Sequence, residues 1–153
     1  MPKPHRSQPP DLLQSVPLSK VRPEQISPLA LAYIGDAVYE LYVRSQFLFP
    51  PKKISRYHAE VVSRVRAESQ AAYLEAIAAD LTPEELDIVR RGRNAVTQKH
   101  KRLSGKIYQQ ASSLETLIGY LYLSDTHRLE ELLAKLNLHS PLDAETSTFK
   151  ADS

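Results

Sequence analysis

No cysteine occurs in these 153 residues. That absence excludes disulfides, thiolate metal sites and cysteine nucleophiles, and zinc-finger chemistry with them. It fits a reducing compartment. The opening stretch, MPKPHRSQPP, has no apolar signal region. The longest apolar run is broken by Asp36 and Glu40 and is too interrupted for a membrane span. A soluble cytoplasmic protein without membrane contact is the expectation. Several catalytic signatures are missing as well. There is no HExxH zinc motif, Gly92 and Gly105 do not form a GxxxxGK[ST] phosphate loop, and no serine sits in a GxSxG elbow. Alternation of period two and internal repeats are both absent, which argues against a sheet.

What remains is a helical chain with a core. Hydrophobic residues make up 42% of it, enough for one domain. Residues 1–17, rich in Pro, Ser and Gln, read as a flexible N-terminal arm. Residues 18–139 form a single domain, and 140–153 a C-terminal tail. Ser27-Pro28 caps a helix that runs to about Ser45, and Pro50-Pro51 bars continuation. A second helix is expected over Arg56 to Ala79. Thr82-Pro83-Glu84-Glu85 opens a short third helix with a capping box, ending near Arg91-Gly92, where glycine supplies the C-cap. A further helix begins between Ser104 and Tyr108 and spans Glu115 to about Leu123. The last covers His127 to Leu136, capped by Asp125 or Thr126. The fold class is all-α.

Two acids stand out. Asp36 lies in LALAYIGDAVYELYV, and Glu115 lies in SLETLIGYLYL. A carboxylate in a core-like helix is costly unless something positive compensates it. Gly35 within a helix costs about 1 kcal/mol relative to alanine, which is consistent with close approach of another group. Glu40, one turn beyond Asp36, is an accessory acid candidate. Ala111, Ser112 and Gly119 leave room around Glu115 for a second helix. Two carboxylates from separate helices can share Mg²⁺ or Mn²⁺, with waters and phosphate oxygens completing the shell. The alternative is an ion pair of Asp36 with Arg44 or Arg64 and no metal. Spacing alone does not bring Asp36 and Glu115 together.

Formal charge is only +2, but from Arg90 to Lys106 there are seven Arg or Lys residues and no acid. Arg90, Arg91, Arg93, Lys99, Lys101, Arg102 and Lys106 alternate with Gly92, Asn94, Thr97, Gln98 and Ser104. Such a tract can bind successive phosphates, the small polar groups adding directional bonds. A solvated charged face is the alternative. The segment Arg44 to Arg66 adds six basic residues against one acid, Glu60. His58, His100 and His127 are not assigned acid–base duty.

LALAYIGDAVYE resembles the signature helix of ribonuclease III catalytic domains, and SSLETLIGYLYL resembles their second acidic helix. With VRRGRNA and KHKRLSGKIYQQAS before Glu115, the chain resembles the Mini-ribonuclease III branch of that family, over roughly Leu29 to Leu123. The resemblance implies an all-helical, homodimeric endonuclease domain that hydrolyses double-stranded RNA with Mg²⁺. It implies 5′-phosphate and 3′-hydroxyl ends, a short 3′ overhang, and maturation of the 23S ribosomal RNA precursor. A ribosomal protein could present that RNA. Asp36 and Glu115 match the catalytic, metal-binding acids. Two other acids of full-length ribonuclease III are replaced by Ala32 and Ser112, leaving two direct carboxylates per site. Only about thirty residues follow Leu123. The catalytic body is therefore expected to grip RNA itself, through Arg90, Arg91, Arg93, Asn94, Lys99, Lys101 and Arg102. Two rivals are a non-catalytic RNA-binding or ribosome-associated protein, and a purely structural dimerisation module.

Overall fold

In the computed structural model, the described residues are Lys20, 22–96 and 105–140. They are all helical or connecting, with no strand among them. Six α-helices follow one another: α1 (Pro28–Gln46), α2 (Ile54–Val65), α3 (Ala67–Ile77), α4 (Pro83–Ala95), α5 (Gly105–Ser124) and α6 (Thr126–Lys135). Short 3-10 turns at Pro23–Gln25 and Ala78–Asp80 supplement them. The expected arm, most of the tail, and Lys99, His100, Lys101 and Arg102 lie outside the described residues.

Helix α5 is the axis, with α1, α3, α4 and α6 packed around it. Its inward residues Leu114, Leu117, Ile118 and Leu121 meet Tyr39 and Val43 of α1, Tyr73 and Ile77 of α3, Ile88 of α4 and Leu129, Leu132 and Leu133 of α6 in one core. The closest crossing is between α1 and α5. A Cβ on Gly35 would stand 1.8 Å from the Glu115 carbonyl oxygen, and one on Gly119 would stand 1.9 Å from that of Leu31. The two backbones therefore touch without intervening side chains, which only glycine permits.

Caps fall largely where the sequence places them. Ser27 Oγ accepts from the Ala30 amide at 3.2 Å. Thr82 and Glu85 form the reciprocal capping box. Asp125, one of the two candidates, caps α6 by accepting from the Arg128 amide.

Two expectations are corrected. The helix expected over Arg56 to Ala79 begins at Ile54 and is broken at Arg66, whose ψ of 154° is extended. The carbonyls freed by the break are taken by side chains. Ser69 Oγ donates to Ser63 O at 2.5 Å, Tyr39 Oη to Arg64 O at 2.6 Å, and Gln70 Nε2 to Val65 O at 2.7 Å. These long-range and i+5 or i+6 bonds replace the helical ladder, so propensity within the segment does not reveal the break. Gly92 is the second correction. It does not end α4, which continues to Ala95, and no glycine has positive φ among the described residues. Its role is contact: a Cβ there would lie 2.6 Å from Thr116 Oγ1.

A buried ion pair ties α4 to α6. Glu85 is 4% exposed, and Arg128 reaches both its oxygens at 2.9 and 3.0 Å while also donating to Asp80 O at 2.7 Å. The Arg128 guanidinium holds the Glu85 carboxyl below its usual range. A depressed carboxyl contributes stability above its unfolded value of 4.5 and loses it as pH falls through the folded value. Acid titration of unfolding should therefore show a shallower decline below pH 4.5 in Glu85→Gln than in the parent. Replacing Gly119 by alanine should destabilise the protein by about 1–3 kcal/mol in urea denaturation, because α1 and α5 must separate. An unchanged midpoint would contradict the tight crossing.

Candidate active site

The α1–α5 crossing brings the two singled-out acids together. Gly35 abuts the backbone of Glu115, and Asp36 is the next residue along α1. Asp36 and Glu115 are close enough for the negative charge of one to hinder ionisation of the other. Their environments differ from the expected pair of core acids. Glu115 is half-buried, but Asp36 is exposed, so it stands at the rim of the crossing. The apolar letters around Asp36 do not mean a buried position: Tyr33 is 84% exposed, whereas Ala32 and Tyr39 are buried.

Burial pushes the Glu115 carboxyl up to about 7, with the Asp36 charge adding to the rise and the Gln70 side chain opposing it. Asp36 is raised by burial and then by the charge of Glu40. Neither acid owes any of its shift to a cation. The two arginines weighed as neutralising partners are engaged elsewhere. Arg44 pairs with Glu40 at 2.7 Å. Arg64 donates to Leu138 O at 2.8 Å, with its guanidinium 4.9 Å from the Phe47 ring centre. Among the described residues, the two acids thus form a patch of hard oxygen donors with no cation paired to them. That fits a divalent cation, which would supply the missing positive charge. No group of three or more His, Asp or Glu side chains able to hold a metal occurs among the described residues. Ala32 and Ser112 stand where further acids would have enlarged the set.

The basic tract is divided by the fold. Helix α4 carries Arg90, Arg91, Arg93 and Asn94, while Lys106 lies in the first turn of α5. On α4 the three arginines fan out. Arg93 lines a groove with Lys106, Glu75 and Gln110; Arg91 faces the other way, toward Glu24, Glu84 and Asp87. Arg90 is exposed and pairs with Asp87. Asn94 is exposed. The tract therefore does not form one stripe on α4.

Sequence reasoning missed Gln70. It is 3% exposed and lies on α3; its Nε2 donates to the Val65 carbonyl at 2.7 Å, and its side chain opposes the rise of the Glu115 carboxyl. Its available signal was a long amide in the otherwise small-residue run SQAA. Gly119 was noted only as room near Glu115; its part in the crossing depends on Leu31, 88 positions away along the chain.

Comparison with known proteins gives the family and the fold. A family model described as the ribonuclease III domain matches residues 29–126. A Mini-ribonuclease 3 of Synechocystis sp. is 55% identical over 115 residues, covering 75% of this chain and 80% of that relative. A Mini-ribonuclease 3 of Thermosynechococcus vestitus is 48% identical over 129 residues, covering 84% and 85% respectively. An X-ray structure of a Fusobacterium nucleatum protein superposes with a TM-score of 0.68 at 27% identity, covering 74% of this chain and 96% of that one. A helical body matched in this way defines a nuclease domain of the ribonuclease III class. The chain belongs to the ribonuclease III family, in its Mini-ribonuclease III branch. Its catalytic function is therefore of the ribonuclease III type, metal-dependent and directed at RNA.

The raised Glu115 has a measurable consequence. Its folded value near 7 exceeds the unfolded 4.5, so the stability it contributes in the protonated form is complete below pH 4.5 and lost as pH rises to about 7. Glu115→Gln should accordingly be more stable than the parent above pH 7, and the two should converge below pH 4.5. Added Mg²⁺ should raise the melting temperature of the parent at pH 8 and leave that of the variant nearly unchanged.

Proposed function

We propose that this protein is a Mg²⁺-dependent endoribonuclease that cleaves double-stranded RNA, with the 23S ribosomal RNA precursor as its substrate. The observation that carries the reading is the pair of carboxylates, Asp36 and Glu115, both raised beside the α1–α5 crossing with no neutralising cation among the described residues. These two side chains would hold the Mg²⁺, with Mn²⁺ able to substitute. Once bound, such an ion activates water and stabilises charge on the scissile phosphate. Exposed Asp36 is open to the RNA backbone, whereas half-buried Glu115 is held in place by the packing around it. The arrangement suits hydrolysis in which the protein supplies orientation and negative charge and no covalent intermediate.

Arg90, Arg91, Arg93, Asn94, Lys99, Lys101 and Arg102 would contact RNA phosphates, those on α4 from separate directions and not as one row. Duplex RNA presents phosphates and 2′-hydroxyls across a shallow minor groove, so recognition would follow shape more than base identity. A homodimer is supported by an apolar row on the outer face of α1: Leu29, Tyr33 and Leu41 are 56, 84 and 61% exposed at helical spacing. This row runs beside Asp36, so a second copy seated on it would bring two sites to one duplex, one for each strand. A ribosomal protein could serve as a platform for the precursor. No helix among the described residues is long and apolar enough to cross a membrane, in keeping with a cytoplasmic enzyme.

The test is cleavage of an end-labelled 23S precursor stem in Mg²⁺. Discrete cuts on both strands are expected from the parent, with at least a hundredfold loss in Asp36→Asn and Glu115→Gln, on the order of what removing a key charge-stabilising group costs. Both variants should still bind the stem. Binding without cleavage by the parent, on the stem and on precursor particles alike, would favour a non-catalytic RNA-binding protein.

A further inference from the structure

A groove that the acid pair does not use lies between α3, α4 and α5, with a volume of about 460 Å³. Leu74 of α3, with Ala78 and Leu81 in the turn that follows, gives it an apolar wall. Leu86, Val89 and Arg93 line it from α4 at i, i+3 and i+7, so they form one stripe of that helix. This stripe is separate from the one that α4 buries through Glu85, Ile88 and Gly92. Leu86 is 46% exposed, an apolar side chain open to solvent at the edge of the groove. From α5 come Lys106, Gln110 and Ser113, at i, i+4 and i+7. Ser113 and Glu115 are two positions apart, about 200° around the helix, so the groove opens on the far side of α5 from the acids.

Concave sites of this size, mostly apolar with a few convergent polar groups, are where proteins bind other molecules. Two stripes at helical spacing complement a helix laid between them, whose own anchors repeat at i, i+3 or i+4, and i+7. Charge narrows the choice of occupant. Arg93 and Lys106 enter from different helices, against one acid, Glu75. Both are exposed, and among the described residues neither is held in an ion pair, unlike Arg90 with Asp87 or Arg128 with Glu85. A second copy packed on this groove by two-fold symmetry would set these cations against their own equivalents. A phosphate backbone would gain nothing from the leucines. We propose that the groove docks a short amphipathic helix of a partner protein, with an apolar face for Leu74, Leu86 and Val89 and acidic side chains for Arg93 and Lys106. The proposal does not depend on Asp36 and Glu115 being metal ligands.

The experiment selects phage-displayed random dodecapeptides on the full chain, with the Leu86→Glu variant as counter-target. The expected result is a consensus with apolar residues at i, i+3 or i+4, and i+7, beside Asp or Glu. A fluorescein-labelled peptide of that consensus is then titrated by fluorescence anisotropy against the parent, Leu86→Glu and Lys106→Gln. Affinity should fall by about tenfold or more in Leu86→Glu, on the scale of losing a central anchor. Lys106→Gln should weaken binding less, and should flatten its dependence on salt. Circular dichroism checks folding; if Leu86→Glu does not fold, Lys106→Gln serves as counter-target, and parental affinity and salt dependence in that variant overturn the proposal. Absence of a consensus, a basic consensus, or parental affinity in folded Leu86→Glu overturns it as well. Two further readings name the other occupants. Duplex RNA affinity, measured without divalent ions, should be the same in Leu86→Glu as in the parent; its loss would assign the groove to RNA. Sedimentation should give both chains the same oligomeric state; a change in Leu86→Glu would assign the groove to a second copy. Either result overturns the partner helix.

Discussion

The contact on which the rest depends is the backbone-to-backbone crossing of α1 and α5 at Gly35 and Gly119. Each glycine fits against a carbonyl of the other helix at a distance that no Cβ could tolerate. Glycine in a helix interior sacrifices about 1 kcal/mol of helix propensity. Two of them are retained because the approach they permit does two things at once. It closes the core around Tyr39, Leu114 and Leu117, and it fixes Asp36 against the turn that carries Glu115. Gly92 repeats the device for α4, which seats on Thr116, the residue after Glu115. Three of the four glycines in the chain therefore serve to bring helices onto one short stretch of α5.

Polar groups around that stretch are arranged with matching economy. Thr116 is fully buried, and its hydroxyl donates back to the Ser112 carbonyl at 2.8 Å. Tyr39 spans from α1 to the Arg64 carbonyl. Ser69 and Gln70 take the neighbouring carbonyls of the broken α2. Buried polar groups in a protein are tolerated when each finds a partner. Here the partners come from different helices, so the same bonds that satisfy α2 also hold it against α1 and α3. Left over among the described residues are Gln70 Oε1, buried without a partner, and the charge of the two acids themselves. Burial beside the Asp36 charge raises Glu115, a strain that a domain selected only for stability would have removed by using an amide.

Local chemistry was largely legible in the sequence. Ser27-Pro28, Thr82 with Glu85, and Asp125 mark helix starts because capping is decided within four residues. The all-α class followed from periodicity. The two acids were legible as exceptions in apolar helices, though the burial inferred for Asp36 was wrong. Periodicity over LALAYIGDAVYELYV cannot tell a core face from an exposed apolar one, and Tyr33 and Leu41 belong to the second kind. The break at Arg66 was invisible for a different reason. No proline or glycine causes it, and the bonds that stabilise it come from Tyr39 on another helix and from Ser69 and Gln70 past the break. Gly92 misled because glycine carries two meanings, a left-handed cap and a close contact, and only the partner helix distinguishes them.

On the proposed reading of Asp36 and Glu115 as metal ligands, their unequal setting suits a site with so few ligands. A buried pair would be hard to reach for a phosphate on a stiff duplex, and an exposed pair would lose the field that draws a cation. Asp36 at the rim and Glu115 below it divide these demands. Glu115 is raised mainly by burial, so its charge is costly when alone and strongly favours a cation when one is near. Asp36 remains within reach of solvent, and Glu40, itself tied to Arg44, adds negative charge one turn away without joining the pair. A small donor set can then attract a divalent ion through field more than through ligand number, leaving the remaining coordination positions for water and phosphate oxygens. On this view Ala32 and Ser112 leave the field in place. They reduce only the number of protein oxygens, and the geometric burden falls on whatever holds Glu115 still.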